Sequence, residues 1–414
     1  MILEFRCKNY KSILDELVFS MLATKNNDKE ESLLVNNTTR ALPLSTIYGA
    51  NGSGKTNVIK AISYLNYLVS NSNKIEPGDK ILTFPHKLSE NKDTSISIQF
   101  ICNGVRYAYG FILNEEKIVQ EYLYHFKNNR QANIFERSNN SYNFGKSYKS
   151  SLNEIESKYG KINKLFLPIA AVWSNFNDIT EVFDYLKNNI VINTSFNNQS
   201  WLNYTLQSIK QNDSNKTAFI TFLNSFGINL DDLEISIVEE EIKYDDLPQE
   251  LPEEAKIFLS TGKSVKKDVK LIYNNIQLDL NEESRGIQKL FEIGGPILDV
   301  LSNGYTLIYD ELETSLHPLI VENIIKLFMD PNCNKNNAQL IFTTHDTNLL
   351  NLSLIRKDQI YFVEKNSSLS SSTLYSLSDL KNIRKDENIE SGYIKGKYGA
   401  IPFLINSSFN NWGK

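Results

Sequence analysis

The stretch GANGSGKT, residues 49–56, has the residue types and spacing of a loop that binds phosphate. It fits the pattern G-x-x-x-x-G-K-[S/T] at every fixed position. Glycines allow successive backbone N–H groups to point at phosphate oxygens, and the positive end of the following helix adds to the attraction. Lys55 supplies a charge for the β and γ phosphates, and the Thr56 hydroxyl is a ligand for Mg²⁺. We therefore predict a nucleotide site formed by Gly49, Ala50, Asn51, Gly52, Ser53, Gly54, Lys55, Thr56 and Asn57.

An acidic pair in the stretch GYTLIYDELETSLHP provides the second half of such a site. Asp310 follows the apolar run 307–309 and would hold Mg²⁺, usually through water. Glu311 would orient and deprotonate the water that attacks the phosphate. The alternative is an acidic pair that only caps the next helix.

A histidine follows another apolar run in LIFTTHDTNLL, residues 340–350. The end of a strand in an α/β sheet lies on the ligand-binding edge, so His345 could contact the γ-phosphate and report its presence. A lone histidine is more often structural. The order of glycine loop, acidic pair and histidine favours the functional interpretation here.

The stretch LNEESRGIQKL, residues 280–290, predicts a third anion-binding feature. Ser284 caps the start of a helix, and Gly286 allows another backbone to approach closely. Because the chain already has one phosphate loop, this helix start would complete the site of a second molecule. The alternative is an ordinary capped helix.

The elements that must position these residues alternate between strand and helix. Short apolar runs predict strands before the glycine loop, before Asp310 and before His345, with helices between them, which is typical of a parallel sheet. Alternating residues at 2–22 and 94–137 predict antiparallel strands, and residues 177–228 have a mainly helical pattern. We predict an α/β fold with three segments: an N-terminal lobe (1–165), an inserted, mainly helical lid with an acidic stretch (166–280) and a C-terminal lobe (281–414).

The composition is that of an ordinary globular protein, with 41% apolar and 22% charged residues in a chain of 414. No apolar run is long enough to span a membrane, and the N-terminus lacks the pattern of a signal peptide. Three scattered cysteines predict a reducing compartment, hence the cytoplasm, and argue against a disulfide scaffold or a zinc site.

Charge is unevenly distributed along the chain, whose formal net charge is −5. Asp231–Glu254 contains eleven acidic residues and one lysine, and Gly262–Lys270 is basic. We interpret both as solvated faces of the inserted segment. The acidic total does not argue for nucleic acid, although a local groove can be basic, so DNA stays open as a partner.

Together these motifs resemble the ABC/SMC class of ATPases, in which a Walker A loop, a signature helix, a Walker B strand, a D-loop and a switch histidine follow in this order. ESRGIQKL is similar to a divergent signature motif, with Arg285 at its second position, and ETSLHP is similar to a D-loop. The closer resemblance is to the predicted ATPases of the RloA and AbiL type, from restriction and abortive-infection loci. It is carried by GVRYAYGFIL, DELETSLHP, AQLIFTTHD, RKDQIYFVEK and GYIKGKYGAIPFL.

The resemblance implies an ABC-type P-loop ATPase head that binds ATP and Mg²⁺ and forms a homodimer, or a higher homo-oligomer, around two ATP molecules. The phosphate loop of one chain would then face the signature residues of the other. Lys55, Glu311 and His345 would be catalytic, and Thr56 and Asp310 would hold the metal. The chain departs from the family at Ile287, often a threonine, and has no evident Q-loop glutamine. The signature residues are Ser284, Arg285, Gly286 and Gln288.

Three functions remain open for such an ATPase. The first is the sensor of an anti-phage, abortive-infection type system that acts through a separate nuclease or toxin. The second is a RecF-like repair ATPase that clamps DNA. The third, a transporter motor, is the weakest, because the chain has no recognisable coupling surface. Overcoming-lysogenization proteins share this core and carry a long Toprim nuclease domain, whereas only about 50 residues follow DQIYFVEK here. A separate effector is therefore the favoured interpretation.

Overall fold

A computed structural model describes residues 1–193, 198–241, 253, 263–366 and 368–402. The strands, in chain order, are β1 Ile2–Lys8, β2 Leu17–Ser20, β3 Leu34–Asn36, β4 Thr39–Ala41, β5 Leu44–Tyr48, β6 Thr94–Cys102, β7 Val105–Leu113, β8 Ile118–Lys127, β9 Arg130–Ser138, β10 Ser141–Phe144, β11 Ile190–Asn193, β12 Asp232–Glu241, β13 Lys263–Tyr273, β14 Ile276–Asp279, β15 Thr306–Tyr309, β16 Gln339–Thr343, β17 Ile360–Asn366 and β18 Ser371–Ser376. The helices are α1 Lys55–Asn71, α2 Lys149–Tyr159, α3 Phe166–Trp173, α4 Asn177–Asn188, α5 Asn198–Gln211, α6 Asp213–Ser225, α7 Arg285–Asn303, α8 Pro318–Met329 and α9 Ile389–Ile394.

The chain forms two compact units, and their bounds differ from those of the three predicted segments. Unit 1 comprises Met1–Ser195, Val300–Thr314 and Val321–Lys414, and unit 2 comprises Phe196–Asp299 and Ser315–Ile320. Helices α3 and α4, which the sequence assigned to the inserted lid, pack within unit 1. The physical reason is their apolar faces: the rings of Phe166 and Phe135 lie 5.2 Å apart, and Val182 and Leu186 are fully buried in the same core.

Unit 1 contains a seven-stranded sheet in the order β10-β9-β8-β7-β6-β1-β2, with antiparallel neighbours. Side chains of β6 alternate between buried and partly exposed over most of its length, as expected for a strand with one face on the core. The predicted turn at Asn103-Gly104 joins β6 to β7, and both residues have positive φ (48° and 76°).

The second sheet of unit 1 has the order β11-β15-β16-β5-β17-β18 and is parallel except for the β17–β18 pair. Strands β5, β15 and β16 are buried at every position. Burial at every position is typical of central parallel strands that are covered on both faces. The carboxyl ends of these three strands lead into the glycine loop, into Asp310 and into Thr344-His345, so the parallel pairing brings the predicted site residues to one edge.

One strand of this sheet was not predicted. The mainly helical interpretation of residues 177–228 is wrong at Ile190–Asn193, which form β11. This four-residue run pairs with β15, with Val191 opposite Leu307, and a run so short has no local periodicity that separates it from helix.

Unit 2 contains α5, α6, the sheet β12-β13-β14 and the first part of α7. Pro296 lies inside α7, and a proline there leaves the carbonyl four residues earlier without its helical donor. The Thr205 hydroxyl of α5 donates to that carbonyl, of Glu292, at 3.0 Å. A β-carbon on Gly295 would lie 2.5 Å from the Thr205 hydroxyl oxygen, so the glycine permits this contact.

These elements confirm the predicted α/β class with an antiparallel sheet that begins in the N-terminal part of the chain. The acidic stretch 231–254 and the basic stretch 262–270 are described only in part, since 242–252, 254 and 262 lie outside the described residues, as do 403 and 404 of the tail motif. In the portion of the chain that the structure describes, no helix is long and apolar enough to cross a membrane.

Candidate nucleotide-binding site

The phosphate loop connects β5 to α1 and follows a path that requires glycine. Gly49 has a φ of 154° and Gly54 a φ of 112°. A β-carbon on Gly49 would lie 2.4 Å from the backbone oxygen of Val363, and one on Gly54 would lie 2.1 Å from the hydroxyl oxygen of Ser372. Both positions therefore exclude any larger residue, for reasons of backbone conformation and of space.

Lys55 begins α1 and folds its ammonium group back into the loop. The side chain is almost fully buried, and its Nζ donates to the Gly49 carbonyl oxygen at 2.8 Å. Burial lowers the pKa of Lys55, and the nearby carboxylates of Glu311 and Asp310 act against that shift. The buried Ser53 hydroxyl has no hydrogen-bond partner among the described residues. A buried ammonium group, an unpaired hydroxyl and a helix start fit an anionic phosphate.

A shared hydrogen-bond network joins the phosphate loop to Asp310, at the end of β15. Asp310 is 7% exposed, and its Oδ1 accepts from the Thr343 hydroxyl at 2.6 Å and from the Thr56 hydroxyl at 3.4 Å. Thr343 is the last residue of β16, and the register places β16 directly beside β15. A carboxylate next to a threonine hydroxyl is a hard-oxygen donor set that suits Mg²⁺. Where the chain is described, no group of three or more His, Cys, Asp or Glu residues forms a further metal site.

Glu311 has a left-handed backbone conformation, with a φ of 58°. This conformation is uncommon for a residue with a long side chain and persists only where neighbouring groups hold it. Two bonds do so: the Glu311 N–H donates to the Thr343 hydroxyl at 2.7 Å, and its carbonyl accepts from the Thr314 N–H at 3.1 Å. The Thr343 hydroxyl thus contacts both acidic residues of the pair.

His345 is the second residue after the end of β16, and Thr344 stands between them. Its backbone N–H donates to Glu313 Oε1 at 2.6 Å. Desolvation lowers the pKa of the imidazole and so does the charge of Lys55, while Glu313 and Glu311 oppose the shift. The imidazole is therefore neutral at pH 7, with one ring nitrogen as donor and the other as acceptor.

Two cavities of unit 1 lie at the phosphate loop or at Asn57, the residue that follows it. One, of about 1100 Å³, is lined by Lys11, Ser12 and Asn57 among others. The other, of about 640 Å³, is lined by the loop residues 49–53, by His345 and by the C-terminal segment that includes Tyr393. Drug-sized ligands occupy cavities of this size, so there is room for a nucleotide beside the loop.

The signature residues belong to unit 2 and form a capped helix start. The Ser284 hydroxyl accepts from the Ile287 N–H at 3.3 Å, and the Gln288 side chain donates to the Glu283 carbonyl at 2.9 Å. Ser284 and Arg285 are exposed. A β-carbon on Gly286 would lie 3.4 Å from the backbone oxygen of Ser315 in the D-loop. Unit 1, in contrast, contains the loop, the acidic pair and His345.

Three residues in contact with the site were not assigned a role from the sequence. Two of them stand in the motifs quoted above. Thr343 could have been noticed as a polar residue at the end of a buried strand, and Glu313 as a third acid after the acidic pair. Ser372 had no local signal. Its hydroxyl donates to the Ser53 carbonyl at 2.5 Å and contacts the Ser12 hydroxyl at 2.8 Å, and these partners are more than 300 residues away in sequence.

Comparison with known proteins gives the family. The family described as "AAA domain, putative AbiEii toxin, Type IV TA system" matches residues 44–188 and 193–351, which together make up more than half of the chain. The chain therefore belongs to this family of AAA-domain proteins. No curated protein matches the sequence.

Among solved structures, the chain is similar to several SMC head domains. An Smc head bound to the C-terminal winged-helix domain of ScpA is 13% identical, with a TM-score of 0.42 over 91% of this chain and 97% of that one. The SMC head domain from Thermotoga maritima is 12% identical, with a TM-score of 0.40 over 91% and 98%. The Smc head with an extended coiled coil from Pyrococcus furiosus, bound to the C-terminal domain of ScpA, is 13% identical, with a TM-score of 0.38 over 91% and 97%.

Proposed function

We propose that the protein binds ATP with Mg²⁺ and hydrolyses it to ADP and phosphate. The observation that carries the proposal is the meeting of Asp310, Thr56 and Thr343 beside a phosphate loop whose lysine is buried. Two hydroxyls and one carboxylate on three different elements converge on one point, which a merely structural helix cap does not require.

Each of the site residues that belong to unit 1 has a role in this proposal. The loop residues Gly49–Thr56, with Asn57, bind the phosphates through backbone N–H groups and Lys55. Thr56 and Asp310 hold Mg²⁺, which neutralises charge on the phosphate oxygens when bound. Glu311 accepts a proton from the attacking water as general base. The neutral imidazole of His345 donates a hydrogen bond to the γ-phosphate.

We further propose that two copies enclose the nucleotides, with Ser284, Arg285, Gly286 and Gln288 of one copy completing the site of the other. The exposed helix start at Ser284 and the cationic Arg285 support this, because both offer favourable contacts to an anion and face solvent in the single chain. An isologous two-fold interface would then bury two equivalent sites.

The biological role that we propose is regulation of a separate toxic effector, such as a nuclease, in an anti-phage system of the RloA and AbiL type. The family description, which names a toxin of a type IV toxin–antitoxin system, supports a role in such systems. The ATP-bound dimer would be the signalling state, and hydrolysis would reset it. The three free thiols among the described residues suit action in the cytoplasm.

The test is the mass in solution of Glu311→Gln with and without ATP and Mg²⁺, repeated with duplex DNA. Removal of the general base should trap ATP, so we expect a stable dimer or larger particle with nucleotide alone. Lys55→Ala, the matched control, should remain monomeric and bind no ATP. Hydrolysis by Glu311→Gln at the wild-type rate would refute the general-base role. Assembly that requires DNA and weakens steeply with salt would instead support the RecF-like clamp.

A further inference from the structure

We propose that Glu313 is a positioning residue that holds the His345 segment in place for hydrolysis. The proposal rests on the ATPase function proposed above and adds a residue to its site. Glu313 is the third acid of the DELE stretch, and nothing in the roles of Asp310 or Glu311 requires it.

Two hydrogen bonds connect the chain segments that follow strands β15 and β16. Beyond β15 and β16 the two chain segments stay joined, because the Leu312 N–H donates to the Thr343 carbonyl at 3.2 Å and the His345 N–H donates to Glu313 Oε1 at 2.6 Å. The second bond is charge-assisted and short, so it is stronger than a bond between neutral groups. It joins the backbone of His345 directly to the segment that follows Asp310.

The second oxygen of the carboxylate distinguishes Glu313 from an ordinary surface residue. Glu313 Oε2 is buried and has no hydrogen-bond partner in the described parts of the chain. The charge of Glu313 stabilises the protonated forms of both Lys55 and His345. Leaving one carboxylate oxygen buried and unpaired is costly, and such costs persist mainly at functional sites.

The segment after His345 is also held by a hydrogen bond that does not involve Glu313. The Thr347 hydroxyl donates to Glu390 Oε1 of α9 at 2.8 Å. With this anchor intact, loss of the Glu313 bond should displace His345 locally without releasing the whole segment. The phosphate loop itself makes no hydrogen bond to Glu313 among the described residues, so nucleotide binding should persist.

The experiment compares Glu313→Ala with Glu313→Gln. Glutamine keeps an oxygen that can accept from the His345 N–H, whereas alanine removes it. We expect alanine to lower kcat about tenfold or more with KM for ATP within about threefold, and glutamine to restore kcat to within about threefold of wild type. Glu322→Ala is the matched control, since Glu322 is a partly exposed glutamate of α8 whose carboxylate lies 2.8 Å from Lys326 Nζ.

A double-mutant cycle tests whether Glu313 acts through His345. In a His345→Ala background, Glu313→Ala should cause little further loss of kcat. Additive losses, wild-type kcat in Glu313→Ala, or a glutamine variant as slow as alanine would each overturn the proposal. Thermal unfolding and binding of a fluorescent ATP analogue check folding. If alanine unfolds the chain, Glu313→Met, which keeps the length of the side chain but has no oxygen that can accept from the His345 N–H, replaces it in both experiments.

Failure of this inference and failure of the proposed function are distinguishable. If the wild-type protein hydrolyses ATP no faster than Lys55→Ala, the ATPase assignment is wrong. If the wild type is active and Glu313→Ala is equally active, only the positioning role is wrong.

Discussion

At the scale of single residues, one hydroxyl connects the parts of the candidate site. Thr343 donates to Asp310 and accepts from the backbone of Glu311, so it holds both the metal ligand and the general base of the proposed mechanism. Valine would keep the shape of threonine but neither bond. The site therefore depends on a side chain that is neither charged nor part of the phosphate loop.

The first prediction concerns the charge that His345 experiences. Lys55→Ala should raise the pKa of His345 towards its ordinary value of about 6.5, because burial and the Lys55 charge both lower it and the substitution removes the second cause. Titration followed by NMR on histidine-labelled protein measures this, with Lys8→Ala as the control. Since the chain has four histidines, His345→Ala assigns the signal. An unchanged pKa in Lys55→Ala would mean that the two side chains do not interact.

At the scale of elements, α3 depends on a buried carboxylate from a neighbouring strand. Its N-cap, Leu165, has no side chain that can accept a hydrogen bond. Glu121 of β8 takes that place, since its carboxylate accepts from the N–H groups of Phe166 and Leu167 at 2.6 and 3.0 Å and from the Tyr109 hydroxyl at 3.0 Å. The loop that precedes α3 is held by Arg137, whose guanidinium donates to three backbone carbonyls within residues 161–164.

The second prediction follows from that arrangement. Glu121→Ala leaves two helix N–H groups without their acceptor and removes the carboxylate that lies 4.0 Å from the buried guanidinium of Arg137, and should lower the free energy of unfolding by about 3–5 kcal/mol. Glu121→Gln keeps an acceptor and should cost less. Urea unfolding measures both, with exposed Glu116→Ala as the control. Equal losses for the two variants would assign the effect to charge and not to the hydrogen bonds.

At the scale of the whole molecule, the site residues divide between the two compact units. The loop, the acidic pair and His345 belong to unit 1, and the signature helix start belongs to unit 2. In the proposed dimer, a phosphate loop and a signature from different chains would form each site. Two defects in different chains should therefore complement one another.

The third prediction tests that complementation. Lys55→Ala and Ser284→Arg should each abolish hydrolysis alone, since every composite site then contains one defective half. Mixed in equal amounts, the two variants should form hybrid dimers with one intact site of two, so activity should return, to at most about half of the wild-type rate. ATPase rates of the mixture measure this, and circular dichroism checks folding. A mixture as inactive as its components would argue against composite sites.

Local sequence alone determined the chemistry of the phosphate loop, the acidic pair and the strand-end histidine. Each is a contiguous motif in which residue type and spacing dictate backbone path and donor set, and each follows a short run with apolar residues that forms a buried strand. Tertiary structure alone decided that α3 and α4 belong to unit 1, that Ile190–Asn193 form a strand, that Ser372 contacts the phosphate loop, that Glu121 caps α3 and that Glu313 accepts from the His345 N–H. Those contacts join residues far apart in the chain or depend on the exact direction of one side chain. No local periodicity records them, because only the packed sheets bring the partners within hydrogen-bond distance.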